Sequence, residues 1–235
     1  MDFTTNQIYV MSKFIVQLTE CVSNFFEKIA QKVRKLTNTI EDWIERICWY
    51  DTYTKQVLDS NPTYKPELVD IQLAEDIKSA LQDIAPEGVV AYMQTMTPEE
   101  RAEFIEETIL PLITSKMSIN CDGLEWVESD RLCGCYDHTR NVISVNVLFI
   151  ASDNEMLLTI LLNTIIHECK HARQHVAIDG ADFGYSQQLL DEWRQNLNNY
   201  IVPEECDEAY QKQPVEVDAS GFANSIINEN RIFEN

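Results

Sequence analysis

The chain is poor in positive charge. Its 235 residues carry 18 Lys and Arg against 39 Asp and Glu, a net charge of −21. The deficit is uneven: residues 1–60 carry −1, 61–120 carry −7, 121–180 carry −5 and 181–235 carry −8. A surface of that sign repels phosphate backbones, so no nucleic-acid partner is expected. Long apolar runs are missing too. None reaches the ~20 residues of a membrane span, and the longest, Met156 to Ile166, is broken by Thr159, Asn163 and Thr164. No charged-then-apolar leader ending in small residues is evident. The cysteines, seven in number and irregularly spaced, argue against a disulfide framework and for reduced thiols. Cys133-Gly-Cys135 is read as a pair of buried or idle thiols. These absences give a cytoplasmic expectation. Internal repeats and low-complexity segments are also lacking.

What is present is enough apolar material for a core, 45% of the residues, arranged mostly at helical spacing. From Ile8 to Ile47 apolar residues recur every three or four positions, which predicts one long amphipathic helix or two. Asn38 and Glu41 form a capping box that suggests a break near Thr37. This region reads either as a helical pair packed on the rest of the protein or as a coiled-coil arm for self-association or partner binding. Ser60 to Pro66 is a turn or linker. A helix follows to about Ile84, with Leu73, Ile77, Leu81 and Ile84 on one face. Pro86-Glu87-Gly88 breaks it, and a short helix reaches about Thr95.

Thr97-Pro98-Glu99-Glu100 is a helix start, with Thr as N-cap, Pro at N1 and Glu at N3. That helix runs past Phe104, Ile105 and Ile109, and Pro111 ends or kinks it. Three strands are expected next, at Leu124–Val127, Arg131–Tyr136 and Asn141–Val147, the last two joined by a turn over Asp137–Arg140. Ser152 to Glu155 reads as a second capping box, opening a helix to about Ile178. Gln187 to about Val202 is helical, Glu204 to Tyr210 is an acidic turn, and a last helix begins at Pro214.

The chemistry sits in the helix after the strands, at His167-Glu168-Cys169-Lys170-His171. Side chains four apart share a helix face. Two neutral imidazoles on one face can hold a zinc ion, and the glutamate beside them can take a proton from water that the ion activates. Cys169 and Lys170 should face away from the ion. A third ligand must come from elsewhere. His175 is excluded, because it lies two turns beyond His167, a rise of ~12 Å. Gln174 and Ala177 stand where a metzincin pattern needs glycine and histidine. His138, Cys133 and Cys135 are weaker possibilities. Glu216, 45 residues past His171 at the start of a helix, is the better one.

Glu216-Val217-Asp218-Ala219 resembles the ExxA segment that carries the third ligand in gluzincins. Together with the HExxH helix, the preceding strands and Phe222 and Ala223 behind, the chain resembles the minimal gluzincins of bacteria and phages over about residues 98–235. The resemblance implies an α+β fold. A zincin-like catalytic domain, with a small, mostly antiparallel sheet, an active-site helix and a glutamate helix, would follow an all-helical region over residues 1–97. It implies one Zn2+ held by His167, His171 and Glu216, with Glu168 as general base in a zinc metallopeptidase acting on a peptide or protein. It also implies that the strand Asn141–Val147 pairs with extended substrate. Tyr185, Tyr200, Tyr210 and His175 are all candidates for steadying the oxyanion. Asp218 either orients a ligand histidine or, as slightly preferred, is a solvated carboxylate. The alternative is a non-catalytic, regulatory zincin-fold protein acting through its N-terminal helices.

Overall fold

The computed structural model describes residues 64–129, 132–202 and 206–227. The chain divides into two compact units, Met1–Tyr53 and Thr54–Asn235, and every described residue belongs to the second. The stripe expected from Ile8 to Ile47 and its break near Thr37 lie outside the described residues. Within them the architecture is α+β, nine α-helices around a three-stranded sheet.

Helix α1, Leu68–Ile84, buries Leu73, Ile77 and Leu81, as their spacing predicts, and with them Asp70. Gly88, at φ +99°, turns the chain into α2, Val89–Gln94. Thr97 then caps α3, Pro98–Phe104, through a capping box. The Glu100 backbone N–H donates to Thr97 Oγ1 at 3.3 Å, and the Thr97 N–H donates to Glu100 Oε2 at 2.8 Å. Both helices before residue 98 pack in this unit: α1 against α4 (Leu110–Met117) and α9 (Pro214–Ile227), and α2 against α6 (Glu155–Ile178).

Pro111 neither ends the helix nor forms a simple kink. A π turn, Ile105–Ile109, leads directly into α4. Proline lacks an N–H and crowds the carbonyl four residues back, and a widened turn accommodates both. The widening has a packing benefit. Arg101, Ile105, Ile109, Ile113 and Met117 are all buried. A strict i+4 stripe drifts about 40° per step around an α-helix, and the π turn offsets that drift.

Strands β1 (Gly123–Val127), β2 (Gly134–Asp137) and β3 (Val142–Asn146) form a mixed sheet in the order β1-β3-β2. β3 is antiparallel to β2 but parallel to β1, which corrects the expected mostly antiparallel sheet. The tight turn after Asp137, whose Oδ1 accepts from the N–H groups of Thr139 and Arg140, fixes the β2–β3 hairpin. The longer link after β1 leaves a slot that β3 fills. A second correction follows. With partners on both sides, β3 offers no free edge to an extended substrate, whereas β2 has no strand on its outer side among the described residues. β3 also ends at Asn146, where the short helix α5, Val147–Ile150, begins.

Helix α6 is buried almost without interruption from Leu158 to Lys170 and packs against α2, α4, α5, α7, α9, β2 and β3. Its N-cap is Asn154, which accepts from the N–H groups of Met156 and Leu157, rather than Ser152. Ser152 Oγ instead accepts from the Asn154 N–H. Helix α7 is Gln187–Leu197, shorter than expected, and α8 is Asp207–Gln211, where an acidic turn was expected. Helix α9 buries Val215, Ala219, Phe222, Ala223 and Ile226. Among the described residues no helix is long and apolar enough to cross a membrane.

Candidate metal centre

The central turn of α6 and the first turn of α9 bring three side chains to one point. His167 and His171 direct their Nε2 atoms at each other, 2.9 Å apart. Glu216 closes the triangle, with Oε2 at 3.3 Å from His167 Nε2 and Oε1 at 3.3 Å from His171 Nε2. Among the described residues this is the only His, Cys, Asp or Glu group arranged to hold a metal ion. Zinc–ligand bonds of 2.0–2.1 Å in a tetrahedron separate neighbouring ligand atoms by about 3.3 Å, so the triangle fits with little adjustment.

The two rings are held from behind. His171 Nδ1 donates to Gln174 Oε1 at 2.8 Å. The orientation of that amide is set in turn, because Gln174 Nε2 donates to Val215 O at 3.0 Å and Asp218 Oδ2 at 2.7 Å. With its proton on Nδ1, a neutral His171 presents the Nε2 lone pair to a cation. Ser220 Oγ lies 3.4 Å from His167 Nδ1 and serves that ring similarly. Gln174 and Ser220 were missed as supporting residues, although Gln174 sits one helical turn from His171 and Ser220 one turn from Glu216.

Burial pushes the Glu216 carboxyl up, but His171 and His167 beside it hold it well below the usual carboxylate range. His171 shows the counterpart. Burial lowers its affinity for a proton, yet Glu216, Glu168 and Gln174 raise it to about 9. The cluster therefore attracts positive charge. Glu168 is buried, and burial raises its pKa above the ordinary value against the pull of His167 and His171. The Tyr136 backbone N–H of β2 donates to its carboxylate. The strand comes this close because residue 134 is glycine. A Cβ there would lie 2.6 Å from Thr164 Cγ2, 2.8 Å from Ser144 O and 3.5 Å from Glu168 Cγ.

The four candidates for the oxyanion separate in space. Tyr200 donates its hydroxyl proton to Glu216 Oε1 at 2.6 Å, and Tyr210 packs edge-on against its ring, with centroids 6.1 Å apart. Tyr185 is engaged elsewhere: it donates to Asp70 Oδ1 and accepts from Lys170 Nζ and Arg173 Nε. His175 stacks on His138, centroids 4.9 Å apart and planes within 2°. Burial, then His138 and His171, lower its pKa to about 4. His138 thus pairs with His175 and is not part of the triangle. Cys133 and Cys135 are also outside it. Burial and nearby Glu168 push the Cys135 thiol up.

The two variable motif positions face inward. Cys169 is buried and Lys170 is fully buried. Lys170 Nζ donates to Asp70 Oδ1 at 2.6 Å and lies 3.3 Å from Asp218 Oδ2. The preferred reading of Asp218 as solvated is therefore corrected. It is 7% exposed, because α9 turns it towards α6, where Lys170 and Gln174 meet it. Protein-family models, curated proteins and solved structures were compared with the chain, and none matches it.

Proposed function

We propose that the chain is a zinc-dependent metallopeptidase of the minimal gluzincin type, with His167, His171 and Glu216 holding one zinc ion and Glu168 acting as general base. The observation that carries this reading is the convergence of the three ligand atoms, with the buried Glu168 carboxylate in the field of all three residues. When bound, zinc supplies Lewis acidity, lowering the pKa of water and polarising a carbonyl. Glu168 takes the proton of the attacking water and passes it to the leaving amine nitrogen. Its raised proton affinity suits both halves of that task, and the Tyr136 N–H steadies the carboxylate between them. Tyr200, the candidate whose hydroxyl reaches the triangle, would donate to a developing oxyanion by turning its single proton off Glu216 Oε1. An extended peptide would lie along the free edge of β2, the strand nearest Glu168.

The test uses the full chain. Zinc content is measured by elemental mass spectrometry, and cleavage is followed in a peptide library. The wild type should carry zinc and cleave. Glu168→Gln should keep zinc and fold while losing about 10²- to 10⁴-fold in rate. Cleavage by Glu168→Gln at the wild-type rate would overturn the peptidase reading, as would a zinc-free, inactive wild type.

A further inference from the structure

Behind the metal-binding face lies a second polar cluster that the proposed reaction does not use. Its centre is Lys170 Nζ, fully buried and lying 4.9 Å from the Tyr185 ring centroid, 5.3 Å from Trp193 and 4.9 Å from Phe222. Two buried carboxylates, Asp70 and Asp218, face it. A buried ammonium without counter-charges would be strongly unfavourable, so these three groups act as one unit.

The unit is connected to the metal centre atom by atom. Asp70 Oδ1 accepts from Lys170 Nζ at 2.6 Å, and Lys170 Nζ lies 3.3 Å from Asp218 Oδ2. The same Oδ2 accepts from Gln174 Nε2 at 2.7 Å, and Gln174 Oε1 accepts from His171 Nδ1 at 2.8 Å. The far end of this chain, Asp70, is 100 residues from Lys170 in sequence. It belongs to a segment fastened at three places. The Tyr64 ring lies against Gly221, where a Cβ would come within 2.1 Å of it. Glu67 accepts from the backbone N–H and the hydroxyl of Ser186. Asp70 itself accepts from both Lys170 and Tyr185. Its second oxygen is buried without a hydrogen-bond partner among the described residues, an arrangement that stability alone does not favour.

We infer that residues 64–70 form a positioning strap for the metal centre: Asp70, acting through Lys170, Asp218 and Gln174, sets the orientation of His171 and so the affinity for the metal. This rests on the metal reading given above. Without the Asp70 charge, the ammonium has only Asp218 as counter-ion and draws that carboxylate off Gln174. The Gln174 amide is then free to turn, and His171 loses the acceptor that fixes its ring. Outer partners of this kind typically change metal affinity 10- to 100-fold.

The experiment titrates Zn2+ against a chromophoric chelator and records the electronic spectrum of the Co2+ form, in the full chain. Gln174→Leu should weaken zinc binding about 10- to 100-fold, and Asp70→Asn about 10-fold. Both should alter the Co2+ bands, and Asp70→Asn should add little in the Gln174→Leu background. Asp70→Glu should restore part of the affinity. If Asp70→Asn fails to fold, Tyr185→Phe, which removes the hydroxyl that Asp70, Lys170 and Arg173 share, tests the same network. Folded strap variants with wild-type affinity and spectrum would overturn the inference while leaving the peptidase reading intact. A wild-type chain that binds neither ion would overturn both.

Discussion

Two polar clusters occupy neighbouring positions on α6 and solve opposite problems. Around Lys170, two carboxylates and three aromatic rings enclose a cation that the protein itself supplies. Around His167 and His171, a carboxylate and two ring nitrogens converge with no lysine or arginine paired to them among the described residues. The first holds a cation of the protein's own between its carboxylates. The second gathers donor atoms beyond the protein's own need. The comparison teaches that burial and charge do not by themselves mark a metal site; what distinguishes the two clusters is whether the protein supplies the cation itself.

The most disruptive way to test this contrast is Lys170→Met, which leaves Asp70 and Asp218 facing each other inside the core. Removing one partner of a buried ion group costs about 3–5 kcal/mol. Urea unfolding of the metal-free chain should show that loss directly. Glu216→Ala sharpens the contrast from the other side. Zinc occupancy should fall to background, whereas metal-free stability should shift by less than in Lys170→Met. An equal or larger loss of stability would mean that the two clusters do not differ in kind.

The smallest effect concerns the stacked pair beside the centre. His175 titrates at about 4 in the fold, below the value of about 6.5 for an unperturbed histidine. Between those values the unfolded chain binds the proton and the folded chain does not. Stability therefore falls as pH drops from about 6.5 towards about 4, and His175 contributes no slope above that window. His138 and His171 face the ring from other positions, and Asp179 opposes the shift. His175→Phe should flatten the pH dependence of the melting temperature in that window and leave it unchanged at pH 8.

Legibility in the sequence followed the range of the interactions. The Thr97 capping box, the α6 helix and the start of α9 rest on contacts within a few residues, and they stand close to where the pattern puts them. The meeting of His167, His171 and Glu216 was also legible, because two of the three share one helix turn. Strand order was not, since nothing local says that β3 slides between β1 and β2. The cap on Asn154 rather than Ser152 was a choice between two good local signals. Asp70 gave no signal at all. An aspartate on an apolar stripe looks like an exception until a lysine 100 residues away is placed beside it.

Gly134 carries a consequence of a different sort. It touches no proposed ligand and sits at an ordinary backbone angle, so its importance comes only from the space it leaves open. In a saturation library scored for activity, position 134 should behave like one of the metal ligands, rejecting even alanine. A survey that sorts residues by their own chemistry would pass it over, and one that sorts them by tolerated replacements would find it at once.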